Sequence, residues 1–184
     1  MDTRRQVALL ATALFAVALN PATVQAQGTN LVLAPGRAGM LELGATVDEI
    51  YRLVGRERVR LVDVSAEGHF TPAIEIRLPG AKVAPSIVAR IREVPCLEFA
   101  IDGISVLDPR FRTSEGIGAG STVGELRHPY DVRFSREERH SVIVPSLKMS
   151  FAVGGVNFQD SVRVTSVWLW PDPSEVRRRR CPDR

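Results

Sequence analysis

One heptapeptide occurs twice in this chain, 76 residues apart, and it constrains the fold more than any other feature. Gly44-Ala45-Thr46-Val47-Asp48-Glu49-Ile50 returns as Gly120-Ser121-Thr122-Val123-Gly124-Glu125-Leu126. Both copies hold Thr-Val-x-Glu, a reciprocal cap for the start of a helix. The Thr hydroxyl accepts from the amide of the third helical residue, and the Glu carboxylate accepts from the Thr amide. Thr46 with Glu49 and Thr122 with Glu125 are therefore expected to be structural caps. A chain that starts two helices in the same way is expected to repeat a helix-plus-sheet unit.

Hydrophobic periodicity fills in the unit. Val47, Ile50, Tyr51 and Val54 fall at i, i+3, i+4 and i+7, one stripe of a short helix that Gly55 is placed to end. Beta-type segments follow at Val59 to Val64, Ile74 to Leu78, Ile87 to Arg92 and Leu97 to Val106, the last with a hairpin turn expected at Asp102-Gly103. The second helix runs from Val123 to about His128, because Pro129 cannot sit in a helix interior. Strands are then expected at Ser141 to Val144, Leu147 to Val153 and Val162 to Trp170. The pattern reads as a helix followed by three strands, twice. One such unit is too small to bury its own apolar face, so the two are expected to share a sheet. The fold class is α+β, an antiparallel sheet with two short helices packed on one face. Repeat one covers about 39–95, repeat two about 115–171, and a basic tail 172–184.

Residues 1–26 read as a secretory signal. Arg4 and Arg5 precede the apolar run Val7 to Leu19, and Val24-Gln25-Ala26 supplies the small-x-small cleavage pattern. A 13-residue run spans about 20 Å as a helix, short of the roughly 30 Å of hydrocarbon that an anchor must cross. Export to the periplasm or medium is expected, with residues 27–184 forming one domain and no transmembrane span left after cleavage. No Cys stands in or just after the leader, which removes the lipoprotein route. Losing Asp2, Arg4 and Arg5 takes the formal charge from +3 to +2. That is too small to imply a nucleic-acid partner. Cys96 and Cys181 are the only cysteines, and in an oxidising compartment such a pair most simply forms one disulfide. It would be worth about 4 to 5 kcal/mol by loop closure. The alternative is that Cys96 is simply buried.

The stretch from Met40 through Gly44-Ala45-Thr46-Val47-Asp48-Glu49-Ile50 to Gly55 resembles the start of the SmpA/OmlA family. Those are small envelope lipoproteins accessory to outer-membrane protein assembly. The tandem arrangement also resembles the beta-lactamase-inhibitor-protein architecture, with two helix-on-sheet units side by side. The second copy, Phe111-Arg112-Thr113 through Gly116-Ile117-Gly118-Ala119-Gly120-Ser121-Thr122, resembles exported bacterial proteins with the same repeat. The resemblance implies a binding or accessory role at the cell envelope.

No constellation argues for catalysis. Gly116-x-Gly118-x-Gly120 before a helix start invites an anion loop, with Arg112, Thr113, Gly118 and Ser121 as its candidate contacts. It lacks Gly-Lys-Ser/Thr, and Ser121 occupies the third glycine's place in a dinucleotide fingerprint, so a structural turn is the simpler reading. His69, His128 and His140 stand at no metal-ligand spacing, and no Gly-x-Ser-x-Gly turn is present. No cofactor and no metal are expected. Trp168 and Trp170, two apart, share one strand face, read as the face of Val162 and Val164; core or sheet edge is the simpler reading, and contacts for a partner the alternative. Arg177, Arg178, Arg179 and Arg180 read most simply as a disordered tail; otherwise they would grip an acidic partner or an anionic lipid surface. The favoured expectation is a non-catalytic exported module that recognises an envelope or secreted protein. The alternatives are a small ligand- or lipid-binding periplasmic protein, and, third, a small exported hydrolase.

Overall fold

The computed structural model describes residues 31–171 except 67, 95–96, 136–139 and 156–157. The leader, Cys96, Cys181 and Arg177 to Arg180 lie outside the described residues.

Three two-residue strands, β1 (Leu33–Ala34), β2 (Arg37–Ala38) and β3 (Leu41–Glu42), form a small antiparallel sheet ahead of helix α1 (Val47–Val54). Four strands follow: β4 (Val59–Ala66), β5 (His69–Ile76), β6 (Ile87–Val94) and β7 (Leu97–Val106). A linker then leads to helix α2 (Val123–Arg127) and four more strands, β8 (Arg133–Phe134), β9 (Ser141–Val144), β10 (Met149–Val153) and β11 (Val164–Leu169). The eight long-range strands make one sheet in the order β4-β5-β6-β7-β11-β10-β9-β8. Every neighbouring pair in it is antiparallel. The protein is a sheet-rich α+β molecule.

Both helices begin as the cap chemistry requires. Thr46 N donates to Glu49 Oε2 at 2.7 Å and Glu49 N to Thr46 Oγ1 at 3.2 Å. The second cap has the same two distances, from Thr122 N to Glu125 Oε2 and from Glu125 N to Thr122 Oγ1. The residues before each cap are also tied down alike. Gly44 N donates to Ile101 O and Ile101 N to Ala45 O, while Gly120 N donates to Val164 O and Val164 N to Ser121 O. Gly44 and Gly120 both sit at positive φ, 83° and 88°, where a side chain would be strained. The glycine that opens each heptapeptide is thus a backbone requirement of docking the cap onto a strand.

The core lies against one face of the large sheet. Opposite residues of an antiparallel ladder point to the same side. One register row, Ile74, Ala89, Ile104, Leu169, Met149 and Val144, is wholly buried. Ile50 and Val54 of α1, Val123 and Leu126 of α2, and Leu33, Leu41 and Phe111 of the surrounding segments belong to the same hydrophobic cluster.

The structure departs from the periodicity reading at three places. Among the described residues four strands follow each helix rather than three: all four beta-type segments after the first helix form strands, and after the second the two-residue β8 leaves no period to read. Asp102-Gly103 is not a hairpin: β7 runs straight through it, and Asp102 is taken up by a bulge where the register slips between the Ile91↔Ile101 and Arg90↔Gly103 pairs. A second bulge, between the Val153↔Val164 and Ala152↔Ser166 pairs, absorbs Thr165. That extra residue resets the alternation, so Trp168 faces away from Val164 and the core rather than sharing its side.

Candidate functional site: the open face of the sheet

The other register row crosses all eight strands: Arg60, Glu75, Val88, Ser105, Trp168, Ser150, Ile143 and Arg133. Of its apolar members, Val88, Trp168 and Ile143 are half-buried and lie outside the hydrophobic cluster. The row is the half-solvated side expected of an antiparallel sheet whose other side is packed.

Trp168 occupies the middle of this face. Its indole lies across the neighbouring strand on Gly103, where a Cβ would collide with the ring. The Arg90 guanidinium sits 5.0 Å above the ring centroid, a cation–π contact. Asp102 holds Arg90 in place through an Nε–Oδ1 bond of 2.8 Å, and Arg92 Nε lies 3.8 Å from the other carboxylate oxygen. The bulge residue therefore orients the cation that stacks on the indole. At the edge of the face, Arg60 and Glu75 close on each other at 2.6 Å. The alternation of Val88, Arg90 and Arg92 with Ile87, Ala89 and Ile91 put the arginines on a solvent face. Nothing in the sequence paired them with Asp102 or Trp168, since both pairings cross strands. Trp170, just past β11, is half-buried.

The glycine loop is brought together as a tightly bonded turn. Gly116 N donates to Thr113 O, Ile117 N to Thr113 Oγ1, Gly118 N to Ser121 Oγ and Ser121 N to Gly118 O. Gly120 N is committed to Val164 O. These five amides point into the protein rather than toward an anion. Arg112 Nη1 donates to Ala119 O at 2.8 Å, and Gly118 has no room for a Cβ against the Phe111 carbonyl and the Arg112 guanidinium. Thr113 and Ser121 are buried, and Tyr130 Oη donates to Thr113 Oγ1 at 2.8 Å. The open depression beside the loop, about 470 Å³, is lined by Glu115 and Glu125 as well as Arg112. Two carboxylates against one guanidinium do not favour an anion.

A buried ion pair that sequence reading passed over braces the linker. Asp108 is fully buried, and its carboxylate accepts from Arg110 Nη2 at 2.7 Å, from Arg110 Nε at 3.0 Å and from the Arg110 amide at 3.0 Å. Burial pushes the Asp108 carboxyl up, but the Arg110 hydrogen bonds and charge, with a bond to Ser86, outweigh it and hold it below its ordinary range. Arg110 Nη1 also donates to Pro79 O, and Ser86 Oγ accepts from Leu78 N, so the brace ties the 78–86 connection to the linker. Its signal was the tripeptide Asp108-Pro109-Arg110, in which an Asp accepts from the amide two residues on.

Among the described residues, no group of three or more His, Cys, Asp and Glu is placed to hold a metal, and no helix is long and apolar enough to cross a membrane. No known family model matches the chain, and no curated protein does. Among solved structures, the chain is similar to the crystal structure of yfeY from Escherichia coli, described there as an uncharacterized protein. The TM-score is 0.53 at 14% identity, covering 78% of this chain and 100% of that one. At such identity the likeness is one of fold.

Proposed function

We propose that the chain is a non-catalytic exported module, periplasmic or secreted, that recognises another cell-envelope protein through the open face of its sheet. The observation that carries this reading is the cross-sheet row centred on Trp168. It is a broad, half-solvated surface with a cation over an aromatic ring, and aromatic and Arg residues are the types enriched at binding hot spots. The one fully buried carboxylate among the described residues, Asp108, is consumed by the Arg110 brace, which supports a structural rather than catalytic use.

The architecture behind this face is best read as a duplicated unit of one helix and four strands. Several equivalences support it. The caps match, the two bulges fall at Asp102 and Thr165, and Ile101 and Val164 take the same bonds from the heptapeptides. Counting from Ile101 and Val164 makes Ser105 equivalent to Trp168, and these two are paired with each other. Val106 with Val167 and Ile104 with Leu169 are then symmetric pairs about them. A twofold through an antiparallel pair stands perpendicular to the sheet, so α1 and α2 belong on the same side and leave the other open. Such an arrangement would resemble the tandem helix-on-sheet beta-lactamase-inhibitor-protein architecture, and the first heptapeptide resembles the start of the SmpA/OmlA family. Both support an accessory role.

A photo-crosslinking side chain placed in the full chain, at Val88 on the open face or at Leu53 on the exposed side of α1, tests the reading in the host envelope. One discrete protein adduct from position 88, and none from position 53, is expected. Adducts from position 53 alone, or from neither position, would reject it.

A further inference from the structure

The open face is asymmetric where the core face is not, and the asymmetry has a chemical sense. This inference rests on the duplicated-unit and open-face reading. On the core side, equivalent positions are apolar in both halves: Ile74 and Val142, Ile87 and Met149, Ile104 and Val167. On the open side the inner positions diverge, while Arg60 and Arg133 at the two outer strands stay alike. Glu75 stands against Ile143, Val88 against Ser150, Arg90 against Ala152, and Ser105 against Trp168. Folding requires the first set to stay alike and leaves the second free. The divergence leaves Glu75 and Arg90 in the first half where Ile143 and Ala152 stand in the second, with Trp168 reaching from the second half onto Gly103 of the first.

Among the described side chains, the two arginines beside that indole are engaged by one carboxylate. Arg60 is closed on Glu75, so it contributes little beyond its own pair. Among the described residues, Arg90 and Arg92 share one carboxylate, Asp102, which is 12% exposed, while Arg92 is 51% exposed and only loosely engaged at 3.8 Å. Glu93 follows Arg92 in a further register irregularity near the end of β6. Two cations engaged by one carboxylate among the described side chains, set beside an indole, complement a carboxylate flanked by apolar groups. We infer that the corner formed by Trp168, Arg90 and Arg92 takes an acidic, aliphatic segment of a partner protein.

Trp168 and Trp170 are the only tryptophans, so the full chain carrying Trp170→Phe reports from Trp168 alone. Its emission is followed while a synthetic 12-residue peptide of alternating Glu and Val is added. A Lys/Val peptide and phosphatidylglycerol vesicles form the other arms. A saturable change with the Glu/Val peptide only is expected, about 10-fold weaker in Arg92→Glu. That variant should also gain a response to the Lys/Val peptide, and gain at a charge reversal is not an effect of misfolding. No response, equal responses to both peptides, or a response to vesicles alone would overturn the inference. A crosslinked partner at position 88 with a silent acidic peptide would sink only the acidic assignment. Peptide binding without any envelope adduct would sink the envelope-partner reading and leave this corner's chemistry standing.

Discussion

Asp108→Ala is expected to destabilise the fold by about 3 kcal/mol, and the figure follows from what the substitution strands. The carboxylate is fully buried and accepts from the Arg110 amide and from two guanidinium nitrogens. A buried donor left without an acceptor costs about 1–3 kcal/mol. Removing one partner of a wholly buried ion pair costs roughly 3–5 kcal/mol. The Arg110 side chain is 35% exposed and keeps its bond to Pro79 O, so it can rehydrate, which places the loss at the lower end of that range. Asp108→Asn retains the shape and an acceptor oxygen and should lose less, about 1–2 kcal/mol. Urea unfolding followed by circular dichroism at pH 7 measures both. The pH dependence supplies a second reading with a definite sign. The folded carboxyl titrates below its ordinary value of 3.8, so its stabilisation is complete above that value and is lost as pH falls through the lower, folded one. Asp108→Asn should flatten that part of the acid limb relative to the unsubstituted chain. A loss under about 0.5 kcal/mol for Asp108→Ala, within the usual range for surface changes, or an unchanged acid limb for Asp108→Asn, would refute the brace.

Two further substitutions probe the architecture. Thr46→Ala and Thr122→Ala each remove a cap of the same geometry and should each cost about 1 kcal/mol. Because they share no partners, the double variant should lose the sum, and a marked inequality in denaturant midpoints would argue that the two helix starts are not equivalent. Gly103→Ala inserts a methyl group where the indole of Trp168 lies, and overpacking of this kind costs about 1–3 kcal/mol. The ring should lift from β7, seen as a red-shifted emission and a changed near-ultraviolet dichroism. An unaltered Trp168 spectrum would show that the indole does not rest there.

Local chemistry was readable wherever it acts over a few residues. The caps, the stops at Gly55 and Pro129 and most strand positions follow from hydrogen bonding three residues on or from side-chain alternation. Readability failed where a residue's role is set by a neighbouring strand. Asp102-Gly103 carries a good local turn signal, yet Gly103 is needed inside β7 because Trp168 crosses over it. Val162 to Trp170 alternates well as a sequence, yet one bulged residue, Thr165, turns Trp168 to the opposite side. The glycines at 116, 118 and 120 look like an anion loop until their amides are followed to Thr113, Ser121 and Val164.

The sequence by itself determined that two helices start in the same way and that beta-type segments follow each, because caps and periodicities are properties of contiguous residues. It also carried the expectation of export and the absence of recognised catalytic motifs. Only the tertiary structure decided that the two sets of strands join edge to edge through β7 and β11. That junction brings Ser105 opposite Trp168 and sets the indole beside Arg90, Arg92 and Asp102, which the β6–β7 pairing holds together. Cross-strand register joins residues 60 or more positions apart in the chain, and no local period encodes it. The candidate binding face is therefore a product of the sheet, although every residue on it could be read in the sequence.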